Sequence, residues 1–110
     1  MFIITLSYKV ELAEVEQHIQ AHMAYIDQYY ASGHFLASGR KVPRTGGVIL
    51  AHGASKEEID DIIKLDPFYI ADVAIFEVIE FIPTRTATAL EAINTNRINY
   101  LLIQREFKGD

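Results

Sequence analysis

Residues 72–82, DVAIFEVIEFI, are branched, aromatic and apolar on both sides of any strand they form. A strand sends successive side chains to opposite faces of its sheet. Val73, Ile75 and Ile79 then point one way, while Ala74, Phe76, Val78 and Ile82 point the other. Both faces of that strand need cover. A chain of 110 residues, 50% of them apolar, has room for one domain and little to spare for a second layer.

The other segments say what cover the chain itself supplies. Phe2 to Tyr8 is β-branched and aromatic, a first strand. From about Glu11 to Ser32 the apolar period changes to three and four through Leu12, Val15, Ile19, His22, Met23, Ile26, Tyr29 and Tyr30, which predicts one amphipathic helix stopped by Gly33. HFLASG (34–39) and GVILAH (47–52) read as two more strands, joined by the loop RKVPRTG. Ser55-Lys56-Glu57-Glu58 is a capping box ahead of Ile59, Ile62, Ile63 and Leu65, so a second helix starts there.

The order strand, helix, strand, strand, helix, strand is the α+β, ferredoxin-like βαββαβ plan, an antiparallel sheet with both helices on one face. Two helices leave the opposite face bare. An apolar patch of that extent exceeds what a monomer tolerates, at roughly 25 cal/mol per Å² left in water. The expected remedy is a second copy packed sheet against sheet, an isologous homodimer. Residues 1–83 complete this unit and residues 84–110 exceed it. Ala87 to Ile93 looks helical, Asn94-Thr95-Asn96 interrupts it, and Asn99 to Phe107 suits either helix or strand. That extension is expected to pack on the domain or across the dimer.

Charge and composition narrow the partners. The net charge is −5, and no block of like charges forms the basic footprint of a nucleic-acid binder. Arg40, Lys41 and Arg44 come nearest, and three cations suit one small anion better than a duplex. The chain has no cysteine, so thiolate and disulfide chemistry are excluded. The amino-terminal MFIITLSYKVE lacks a basic region and a cleavage site, and no apolar run approaches spanning length. A cytoplasmic protein without membrane partners is expected.

Two residues stand out for chemistry. His22 lies on the apolar stripe of the first helix, where its ring faces the sheet, either as a hydrogen-bonded core residue or as a general base tuned by burial and a nearby carboxylate. Asp66 follows the second helix, at an end where the helix dipole disfavours an acid. It can cap a following turn with Pro67 at its first position, or meet a cationic or hydrogen-bonding partner across the fold, His22 being the obvious one. His18 and His22 have the i, i+4 spacing of metal ligands, but HIQAH lacks the glutamate of an HExxH motif. A third ligand would have to come from Asp66, His34 or His52; no metal is expected, and His18 is expected to meet solvent.

Gly39-Arg40 and Arg44-Thr45-Gly46-Gly47 border the loop between the middle strands. Guanidinium forks with accessible backbone N–H groups can hold a carboxylate or phenolate; a solvated hairpin is the alternative. Ser38 can orient a ligand or bond within the sheet. Tyr8, Tyr25, Tyr29 and Tyr30 suit packing. Glu77 and Glu80 fall on opposite faces of the last strand and cannot converge on one bond.

These residues together resemble the YciI-like (YCII-related) family of the dimeric α+β barrel superfamily over roughly residues 1–83. The resemblance rests on His22 followed by Tyr25 and Ile26, the Ser38-Gly39-Arg40 turn, Gly46-Gly47 opening the third strand, Ser55, and Asp66-Pro67-Phe68. It implies facing sheets in a dimer and an active site built on a His22 and Asp66 pair, with Ser38, Arg40, Gly47 and Phe68 near the pocket. The family usually has proline before the helical histidine, where this chain has Ala21, and often a small residue and proline at the turn that carries Arg40. Arg40 therefore suggests a subgroup with an anionic ligand. Some members resemble enzymes that rearrange or dehalogenate hydroxylated aromatics, and the related muconolactone isomerases act on lactones. The expected activity is cofactor-free acid/base chemistry, elimination or isomerisation, on a small anionic cyclic or hydroxy-aromatic compound. The alternatives are a non-catalytic dimeric binding module and a cofactor-free oxidation of phenols.

Overall fold

The structure, a computed structural model, describes residues 1–93. The described residues divide into two compact units, Phe2–Glu80 and a second made of Met1 with residues 81–93. The first unit runs β1 (Phe2–Tyr8), α1 (Leu12–Glu16), α2 (Ile19–Ala31), β2 (Phe35–Arg40), β3 (Gly46–Ala51), α3 (Lys56–Lys64), α4 (Pro67–Ile70) and β4 (Ala74–Glu80). Its four strands form one antiparallel sheet in the order β2-β3-β1-β4, the α+β plan expected.

Alternation along β1 divides the two faces. Phe2, Ile4 and Leu6 are buried under the helices, and Ile4 pairs with Ile49 on one side and Val78 on the other. Val15, Tyr25, Ile26, Ile59, Ile63 and Phe68 close this core from above. Each such aliphatic or aromatic side chain contributes about 1.5–3 kcal/mol on burial. The opposite face carries Ile3, Thr5 and Ser7, paired across the sheet with Leu50 and Ile79, Val48 and Glu77, and Gly46 and Ile75. Ile75 and Ile79 are 52% and 58% exposed there.

Three sequence expectations need correction. The helix predicted over residues 11–32 is two helices: α1 closes at Glu16 with Gln17 as its C-cap, and His18, at φ −111° and ψ 0°, starts α2. The apolar stripe passes through this break without a change of spacing, because Val15 and Ile26 both reach the core. Periodicity alone could not reveal it. Secondly, Val73 does not share the open face with Ile75. It precedes β4, is buried, accepts the Lys9 N–H and donates its own N–H to the Phe68 carbonyl, closing α4. Asp72 makes that closure at φ +58°, in the left-handed region where glycine is usual, and pairs with Lys9 at 2.6 Å. Thirdly, β4 ends at Glu80, so Ile82 lies beyond the strand and is exposed.

In the second unit, the Phe81 N–H donates to the Met1 carbonyl at 2.9 Å, and Thr88–Ile93 forms a 3₁₀ helix where helical structure was expected. The readings of Asn94-Thr95-Asn96 and of residues 99–107 lie outside the described residues.

Candidate active site

The site begins with a helix cap. Ser55 accepts the Glu58 N–H while the Glu58 side chain accepts the Ser55 N–H, so α3 starts at a fixed point. The helix ends at Lys64, and two residues later Asp66 is the N-cap of α4 with Pro67 in its first turn. Asp66 Oδ1 accepts the Phe68 N–H at 2.8 Å. The same oxygen meets His22 Nδ1, also at 2.8 Å. The cap and the distant partner, alternatives on sequence grounds, coexist on one atom.

That geometry sets the imidazole's tautomer. An ionised carboxylate only accepts hydrogen bonds. Nδ1 therefore carries hydrogen, and in the neutral ring the lone pair falls on Nε2. The Phe68 ring lies flat on His22, with centroids 3.9 Å apart and planes within 2°. A bond in the ring plane and a stack against its face hold the imidazole from two directions. The Asp66 side chain is 1% exposed and that of His22 14%. Asp66 Oδ2 is buried without a partner among the described residues. Tyr25 packs beside them and donates its hydroxyl to the Ile62 carbonyl at 2.6 Å. Burial first, then the charge of Asp66 and the neighbouring Tyr29, push that hydroxyl far above the ordinary tyrosine range, so Tyr25 stays neutral.

His22 forms part of the wall of a cleft of about 250 Å³ on the helix-covered side of the sheet. The register shows how the hollow arises: Arg40 pairs with Gly47, and Gly47 with Leu6, so the floor lacks a side chain between them. Gly46 next to it is fixed by sterics, since a Cβ there would stand 1.8 Å from the Leu6 carbonyl oxygen. Ser38, Arg40, Arg44, Gly46, Gly47 and Phe68 all line this cleft, and Asp66 sits behind His22.

The polar edge is less uniform than the sequence suggested. Ser38 Oγ shares a hydrogen bond of 2.7 Å with the Tyr30 hydroxyl. Arg44 Nη1 donates to Glu16 Oε1 at 3.3 Å. The Arg40 side chain makes no hydrogen bond or ion pair with the described residues. Lys41 turns away: its Nζ donates to Ser7 Oγ at 3.0 Å, and Ser7 belongs to the open face. The three-cation cluster is thus two cations at the cleft and one across the sheet. Glu16 and Tyr30 were missed on sequence grounds, because each acts on a residue brought near only by folding. His18 serves as the N-cap position of α2, half-buried, and no group of three metal-ligating side chains forms among the described residues.

The structure is thus a ferredoxin-like α+β sheet under one layer of helices, with a part-buried imidazole held by a buried carboxylate beside an arginine-edged cleft. The sequence profile of the YCII-related domain matches residues 1–82, and the chain belongs to that family. Among solved structures it is similar to 5-chloro-2-hydroxyhydroquinone dehydrochlorinase from Burkholderia phenoliruptrix, determined in complex with 2,5-dihydroxybenzoquinone. The TM-score is 0.64 at 20% sequence identity, over 73% of this chain and 91% of that one. No functionally curated protein sequence matches the chain significantly. No helix among the described residues is long and apolar enough to cross a membrane.

Proposed function

We propose that the chain is a cofactor-free acid/base enzyme acting by elimination or isomerisation on a small anionic hydroxy-aromatic compound. The observation that carries this is the 2.8 Å bond from His22 Nδ1 to Asp66 Oδ1 in the wall of a cleft of about 250 Å³. Cavities of about 150 Å³ accept benzene and drug-sized ligands need about 300 Å³ or more, so this volume suits one substituted ring. With Nδ1–H committed to Asp66, Nε2 takes a proton from a ring hydroxyl, and Asp66 stabilises the imidazolium that forms. The phenolate pair moves into the ring, and a ring carbon takes the proton back from Nε2; the product is the keto tautomer. Where that carbon bears a halogen, halide leaves with its bonding pair as a second hydroxyl loses its proton, a net loss of HX that yields a quinone. Arg40 holds the anionic substituent, with Ser38 and the Gly46-Gly47 backbone beside it. The dehydrochlorinase likeness supports hydroxylated aromatics as the substrate class.

The direct test is halide release and quinone absorbance with a chlorinated hydroxyhydroquinone. Wild type should turn over, and His22→Gln should lose about 10²–10⁴-fold in rate, the usual contribution of a positioned base. Wild-type rates equal to buffer across a panel of hydroxylated aromatics would remove the proposal.

We also propose that a second copy covers the face carrying Ile75 and Ile79, as an isologous homodimer, with residues 84–110 an extension outside the domain. Gel filtration should give a dimer at micromolar concentration, and Ile79→Lys should shift it towards monomer; a wild-type monomer would contradict this.

A further inference from the structure

The cleft carries two arginines but only one is uncompensated. Arg44, on the loop after β2, is held by Glu16 at the end of α1, 28 residues earlier in the chain. Arg40 has no such partner among the described residues, and none of the residues lining the cleft is acidic. The Arg44 and Glu16 side chains are 32% and 53% exposed, so the pair is a weak, solvent-screened one that a ligand can compete for. An anion reaching Arg44 must nevertheless displace a carboxylate or sit beside it.

We infer that Glu16 sets the charge class of the ligand: by occupying Arg44 it leaves Arg40 as the one anchor, so the cleft prefers ring compounds with a single negative charge over dianions. The inference rests on the reading of this cleft as the ligand site, but on neither the His22 chemistry nor turnover. Geometry supports it in two ways. Arg40 stands in the sheet opposite Gly47, directly over the hollow floor. Arg44 belongs to the connecting loop and reaches across to a helix, bridging the two sides that border the cleft. A first negative group is met by Arg40. A second one meets an arginine whose charge is already balanced, and the Glu16 carboxylate repels it. Removing the Glu16 charge converts the same cleft into a two-point anion clamp.

The probes are benzoate, a ring monoanion, and isophthalate, a ring dianion, titrated by calorimetry at neutral pH into the full chain. Wild type should bind benzoate more tightly than isophthalate. Glu16→Gln, nearly isosteric at an exposed position, should raise isophthalate affinity by about fivefold or more, the upper range for freeing one exposed ion-pair partner, and benzoate affinity less than about twofold. Adding Arg44→Gln to Glu16→Gln should abolish the gain. An unchanged ratio in Glu16→Gln, or a gain that survives Arg44→Gln, would overturn the inference while leaving the acid/base proposal standing. Absence of binding by both anions in all variants would overturn it together with the anion-anchoring role of Arg40. A shifted ratio in a protein without turnover would sustain the inference and count against catalysis.

Discussion

Replacing Asp66 by asparagine keeps the side chain's shape and removes its charge, at a position 1% exposed where one oxygen serves two donors. The amide oxygen can still accept from Phe68 N–H and His22 Nδ1. Each bond then falls from the charge-assisted range of about 1.5–3 kcal/mol to about 0.5–1.5 kcal/mol. The amide nitrogen takes the place of Oδ2, an atom already buried without a partner among the described residues. Two N–H donors would be stranded there, at a further cost of about 1–3 kcal/mol. Relief from burying a full charge offsets part of this. A net loss of about 2–4 kcal/mol is expected, or a fall in Tm of roughly 10–20 °C for a domain of this size. If the amide instead turns its nitrogen towards His22, the ring must accept at Nδ1 and carry its hydrogen on Nε2, which disables it as a base. Activity should drop about 10²–10⁴-fold in either case. Calorimetry or thermal circular dichroism reads the stability, and ¹⁵N-detected NMR of the imidazole reads the tautomer. An Asp66→Asn protein with unchanged Tm and an unchanged Nδ1–H signal would refute the reasoning.

Gly46→Ala should cost about 3 kcal/mol or more and disturb pairing of β1 with β3, because the new Cβ would overlap the Leu6 carbonyl 1.8 Å away; Gly39→Ala, with open space around it, is the control, and equal urea midpoints for the two would contradict this. Tyr25 yields a pH dependence. Its folded-state pKa is raised above the unfolded value of 10.0, chiefly by burial. The folded state thus holds a proton the unfolded chain gives up, so its contribution is complete below pH 10 and declines above it, by about 1.4 kcal/mol per pH unit. Tyr25→Phe should flatten that alkaline decline while costing about 1 kcal/mol at neutral pH from the bond to Ile62. An alkaline slope identical in the two proteins would count against it.

The parts of the site that lay within one element were legible from the sequence. His22 on an apolar stripe and Asp66 ahead of Pro67 each carry a local signature, a helical period and a cap, and topology brought the two together. Asp66 admits two readings on sequence grounds, a local cap and a distant partner, and both hold because a carboxylate oxygen has two lone pairs. What escaped was set by tertiary contact. Glu16 is a surface-compatible helix residue and Tyr30 falls on the apolar stripe, and nothing in their neighbourhoods says that Arg44 and Ser38 will stand against them. Lys41 sits between Arg40 and Arg44 in basic context yet faces the other side of the sheet. The α1–α2 break escaped because the backbone turned without altering the apolar spacing, and Val73 because the strand starts one residue after it.

The central claim, that Asp66 arms His22 to move protons at the cleft, is tested most directly by hydrogen exchange at ring carbon. Wild-type protein should accelerate deuterium uptake from D₂O into the ring C–H positions of a trihydroxybenzene, as followed by proton NMR, and His22→Gln should reduce the rate to that of buffer. Uptake no faster with wild type than without protein, or equally fast with His22→Gln, would contradict the account.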